Sequence, residues 1–112
     1  MIEVFCLDNS ELAAFEAINK GYRRDIYVKL LGGFYHLNIY DITRLRQDFE
    51  AEVEQDRCYS VDPNLVLVNE VNINEVKNVI DHLYKQKYFD KIKPLENHKL
   101  KHLTLLPYAV VP

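Results

Sequence analysis

His98 and His102 stand four residues apart, a spacing that would put two imidazoles on one helical face and let them share a zinc ion. A stable site wants three or four converging ligands, and only Glu96 and His82 offer themselves. There is no HExxH run, and the segment follows Pro94, where helix is not required. The expectation is therefore no metal and no cofactor. His36 is the other imidazole that could carry chemistry, yet no serine, cysteine or carboxylate stands at a spacing that would complete a triad. Gly32-Gly33 is followed by a β-rich run, so it lacks the amide-lined helix N-terminus that cradles phosphate. Carboxylate pairs such as Asp81 with Asp90, or Glu70 with Glu75, arise by chance in a chain with 17 acidic residues. Cys6 and Cys58 are far apart in no ligand or redox spacing, and each reads as a small buried apolar residue. Catalysis has no address in this pattern, which leans away from an enzyme.

Stepping from chemistry to scaffold, 112 residues make one domain, 1–112, large enough to bury a core without disulfide or metal staples. The net charge of -3 disfavours nucleic acid, which selects a basic face. No apolar run approaches the roughly 18–20 residues that cross a bilayer, so no membrane is expected. Met1–Asp8 lacks the basic start and cleavage pattern of a signal peptide, which makes the cytoplasm the expected location.

The strongest structural signal is 25–40, where two β-rich runs flank Gly32-Gly33 and glycine can take the positive φ of a tight turn. Pairing outward from that turn sets Leu31 opposite Phe34, Leu30 opposite Tyr35, Val28 opposite Leu37 and Ile26 opposite Ile39. One face then carries Ile26, Val28, Leu30, Tyr35, Leu37 and Ile39; the other carries Asp25, Tyr27, Lys29, Leu31, Phe34, His36, Asn38 and Tyr40.

Around the hairpin the pattern predicts a central strand over Ile2–Leu7 and a helix capped by Asp8, Asn9 or Ser10 and running to about Lys20, with Leu12, Phe15, Ile18 and Tyr22 on one side and Gly21 ending it. A second helix from Thr43 to about Arg57 should bury Leu45, Phe49 and Val53 and turn an acidic face outward. Leu65–Val68 reads as a strand. A third helix, capped by Asn72 or Asn74, reaches Phe89 or Ile92 with Val76, Ile80, Leu83 and Tyr84 inward. The order is βαββαβ, the ferredoxin-like plan: two layers, an antiparallel sheet with strands one and three in the middle, plus an extra C-terminal helix and an apolar tail. Leu103–Val111 is too apolar to lie free in water, so it adds a strand or fills a groove. Upstream, Lys85, Lys87, Lys91, Lys93, Lys99 and Lys101 stand against only Asp90 and Glu96, a basic stretch opposite in sign to the second helix.

Eight tyrosines and five phenylalanines raise the question of what the rings touch. Tyr27, Lys29, Leu31, Phe34, His36 and Tyr40 form the candidate binding surface, to be covered by the chain's own third helix or tail, or by a protein partner or second copy. The function expected is a small cytoplasmic non-enzymatic binding or regulatory protein. A small-molecule enzyme or ligand-binding domain is the rival, and single-stranded RNA binding by sheet aromatics comes third, because this face offers few cations.

Overall fold

A computed structural model, describing residues 2–111, forms the hairpin where the alternation of apolar and polar residues places it. Strands β1 (Ile2–Cys6), β2 (Tyr22–Leu30), β3 (Gly33–Asp41), β4 (Leu65–Val68) and β5 (Leu106–Val111) make one sheet. Helices α1 (Glu11–Lys20), α2 (Ile42–Asp56), α3 (Ile73–Lys85) and α4 (Asn97–Leu100) connect them, with a 3-10 turn at Tyr88–Asp90. The turn residues of the hairpin are Leu31 and Gly32, not the glycine pair, and Leu30 faces Gly33 while Val28 faces Tyr35 and Ile26 faces Leu37. That register is offset by two residues from the expected one. Because side chains alternate with period two, both faces keep their members.

Closer to the start of β2 an extra residue enters: Arg23 faces Ile39 and Tyr22 faces Tyr40, so β2 bulges between Arg23 and Ile26. A bulge changes which way the following side chains point. Here it sends Arg23 to the side of the sheet that carries Ile39.

The chain order begins strand, helix, strand, strand, helix, strand as expected, but the sheet order is β4-β3-β2-β1-β5. The ferredoxin-like plan, with strands one and three central, is therefore not the arrangement formed. Gly21 alone separates α1 from β2 and takes φ 77°. β2 pairs with β1 antiparallel, whereas β4, after α2 and residues 57–64, lies parallel to β3. The sheet is thus mixed, and mostly antiparallel.

Its core side holds Val4, Cys6, Ile26, Val28, Leu37 and Ile39, closed by Ala17 of α1 and by Val76 and Ile80 of α3. Each such aliphatic side chain contributes about 1.5–3 kcal/mol on burial. Asn72 caps α3, its side chain accepting from Glu75 N at 2.8 Å. Tyr84, expected inward, is exposed at the end of that helix. Phe89, in the 3-10 turn, then packs its ring edge-on to Tyr35 at 5.3 Å.

On the opposite face Tyr27 and Tyr40 are buried as well. No residue of α2 is buried, its Phe49 is exposed, and Arg44 lies over the Tyr22 ring at 4.5 Å. The expected buried stripe of Leu45, Phe49 and Val53 is at best half-buried. Further on, Leu95 N donates to Phe34 O at the edge of β3, 2.7 Å away, while Leu106 pairs with Cys6 beyond β1. Residues 96–105 must therefore cross β3, β2 and β1 diagonally. The core side is filled by α1, α3 and the 3-10 turn, so this strap runs over the other face, with Leu100, Leu103 and Leu105 half-buried. The apolar tail then forms β5, an edge strand that tolerates Pro107.

Ile80→Ala should cost about 2–5 kcal/mol by cavity formation. Leu12→Ala should change stability by no more than about 0.5 kcal/mol, as at an ordinary surface position. Urea midpoints of the two variants would show the contrast. Equal losses would mean that α1 is docked by its bulky side.

Candidate functional site

The six residues read from the hairpin do not make one open surface. Tyr27 is 7% exposed and Tyr40 2% exposed, so the two tyrosines lie inside the protein, contrary to their expected role in contacts. Tyr27 stacks on His36 with ring centroids 4.8 Å apart, and His36 Nε2 donates to the Arg24 carbonyl. The Tyr40 hydroxyl accepts from Arg24 Nε at 2.8 Å. Phe34 is half-buried, its ring 5.7 Å from that of Phe5. Lys29 and Leu31 alone are fully open, Leu31 at the tip of the turn.

The other chemistry-bearing residues also stay apart. His98 Nδ1 lies 3.2 Å from Glu96, while His102 falls beyond α4. Among the described residues no three His, Cys, Asp or Glu side chains converge on one point. Cys6 is buried as expected, and burial pushes its thiol above the usual range, which leaves it a poor nucleophile. Cys58, expected buried, is exposed.

What the structure does assemble is a charged cluster under α1. The bulge brings Arg23 into the protein, its side chain 4% exposed. Arg23 Nε donates to Asp25 Oδ1 at 2.6 Å, Nη2 donates to the Asp8 carbonyl, and the guanidinium lies 4.6 Å from the Tyr108 ring centroid. Asp25 Oδ2 in turn accepts from Leu7 N at 3.1 Å and Asp8 N at 3.3 Å. The chain leaving β1 is thereby fixed. Asp8 accepts from Ser10 N at 3.0 Å, and this contact holds its carboxyl below the usual carboxylate range. Ser10 Oγ caps α1 by accepting from Ala13 N at 3.1 Å.

So oriented, α1 meets the sheet with its small residues. Ala17 is buried and Ala13 half-buried, and a groove of about 310 Å³ opens between them and Leu7, Lys20, Arg23 and Asp25. The opposite side of the helix carries Leu12, Phe15 and Ile18 at 65%, 64% and 39% exposure. These three are the residues that the sequence groups on one side of the helix. α1 offers two apolar stripes, one bulky and one of alanine, and only the alanine stripe lets the helix backbone come close to β2. The signal was Ala13 with Ala17, four apart on one face.

At the other end of the sheet a cleft of about 780 Å³ lies between the hairpin turn and the C-terminal end of α3. Ile2, Leu30, Tyr35 and Phe89 line it, and Asp81, Lys85, Lys87 and Asp90 stand at its rim. It contains no histidine, and its Asp81 is held by Lys85 at 2.9 Å.

Arg23→Ala should lower stability by roughly 3–5 kcal/mol, since it strips Asp25 of its partner inside the protein. The urea midpoint would show it, and a loss under about 1 kcal/mol would mean the pair behaves as a surface one. Cys6, Tyr27, Tyr88 and Tyr108 are all pushed up, chiefly by burial, from ordinary values of 9.0 for the thiol and 10.0 for the phenols. Groups whose folded pKa is raised contribute stability that is complete below the unfolded value and lost as pH climbs through the folded one. The urea midpoint should hold from neutral pH to about 9 and fall beyond it, while a flat profile through pH 11 would contradict their burial.

Comparison with protein-family models, with curated proteins and with solved structures gives no match, so the function rests on this geometry.

Proposed function

We propose that this chain is a non-enzymatic binding or regulatory protein working through protein–protein contacts, with α1 as its contact face. One observation carries the reading: three large apolar side chains, Leu12, Phe15 and Ile18, stand in solvent on a helix that is capped, tied down and docked by its other side. Scattered apolar residues need no explanation, but three large ones grouped on one helical face make a patch of the kind that meets a partner. Phe15, at the centre, is the natural anchor.

The large cleft lacks the histidine–carboxylate pairing that a small-molecule enzyme would want. The hairpin surface expected from the sequence contributes Lys29 and Leu31 to this reading, and its tyrosines support the fold instead. A cytoplasmic setting suits the two free thiols, one of them at the surface.

Cross-linking in the native cell, with the full chain and with Leu12→Asp plus Phe15→Asp, tests the reading. The expected outcome is a protein adduct formed by the wild type and lost in the variant, with thermal midpoints unchanged. Identical adducts from both would sink the assignment to α1.

A further inference from the structure

The floor of the cleft at the hairpin turn gives little reason to fill it, since Ile2 and Phe89 are already buried and Leu30 is half-buried. Its polar lining is different. Tyr35 is 9% exposed, with its ring fixed edge-on against Phe89, and its hydroxyl makes no hydrogen bond among the described residues. A Cβ on Gly32 would stand 3.4 Å from that hydroxyl, which places it over the turn at the wall of the cleft.

Lys87 and Asp90 bracket the 3-10 turn, where Asp90 N donates to Lys87 O at 3.1 Å. Both line the cleft, and neither has an ion pair among the described residues, whereas Asp81 and Lys85 beside them are matched to each other at 2.9 Å. Lys87 also holds φ 59°, the left-handed conformation that glycine ordinarily supplies after a helix. A charged side chain is thus kept where the backbone would favour none.

We propose that the cleft binds a small zwitterion, an α-amino acid with an apolar side chain. Its carboxylate meets the Lys87 ammonium and the Tyr35 hydroxyl, and its ammonium meets the Asp90 carboxylate. A ligand of one sign would satisfy one of the two free charges and be repelled by the other, so the pair selects a molecule that carries both. Leu31 and Tyr84, the exposed apolar groups of the lining, give the ligand's side chain its place. At about 780 Å³ the cleft lies in the size range of small-molecule sites. The site is independent of the contact face on α1.

Titration of the full chain with L-phenylalanine and with L-leucine, followed by backbone amide NMR shifts, tests this. The shifts should saturate and centre on Gly32, Tyr35 and residues 87–90. Phenylalanine amide, which lacks the carboxylate, and 3-phenylpropionate, which lacks the ammonium, should each bind about tenfold more weakly than phenylalanine, because each gives up a charged hydrogen bond. Lys87→Gly suits the left-handed backbone, so it should keep or raise the thermal midpoint while weakening phenylalanine about tenfold. Asp90→Asn should weaken phenylalanine to a similar degree and leave phenylpropionate no weaker than before. Four results would overturn the proposal: no saturable shift with either amino acid up to about 10 mM, ten times a millimolar Kd; equal binding of phenylalanine and its two single-charge analogues; shifts centred away from the cleft; or a Lys87→Gly variant that binds phenylalanine as the wild type does.

Discussion

The pair formed by Arg23 and Asp25 is the point at which the strands, the first helix and the tail are tied together. Removing a guanidinium from water carries a penalty of several kcal/mol, and it is met only where hydrogen bonds and counter-charge surround the group. Here Asp25, the Asp8 carbonyl and the Tyr108 ring meet Nε, Nη2 and the guanidinium face from β2, from the loop after β1 and from β5, while Nη1 is buried without a hydrogen-bond partner. One extra residue in β2 makes this geometry available. Without the bulge Arg23 would point to the other face, Asp25 would lose its partner, and the loop that starts α1 would lose its anchor. The exposure of the bulky α1 stripe is thus a downstream result of a backbone irregularity.

How far the sequence disclosed this depends on the kind of information. The faces of the hairpin were legible because alternation has period two, and a register offset of two residues leaves it unchanged. The turn was not, because Gly32 and Gly33 are equally permissive and the sequence does not say which of them ends the loop. Ser10 and Asn72 cap α1 and α3 as their side chains suggest. For α2, Asp41 takes the place expected of Thr43: β3 runs on to Asp41, whose carboxylate then accepts from Arg44 N at 2.7 Å. The bulge had no sign at all, since Arg23-Arg24-Asp25 reads simply as a polar start to a strand.

The candidate site shows the same division. Grouping by bulk picked out Leu12, Phe15 and Ile18 on one side of α1, yet close approach of helix and strand selects the small side chains Ala13 and Ala17 on the other. The aromatic hairpin face was recognised as needing cover, and the leucines after Pro94 as needing shelter. Each need answers the other through the strap, but its diagonal path depends on sheet order, which the local patterning leaves open.

The pairing of β1 with β5 places Ile2 against Val111, near the two ends of the described chain. Contacts of such separation close the largest loop a chain can form, and the entropy of closure is lost before any contact rewards it. β1 can pair with β2 early, through the short path of α1, but its other edge stays open until residues 96–105 have crossed the sheet. During that interval the core residues Val4 and Cys6 border an unpaired ladder of amides and carbonyls, the form of strand most prone to pair with the wrong chain. The late crossing of residues 96–105 therefore sets how long the central sheet remains vulnerable while the protein is being made.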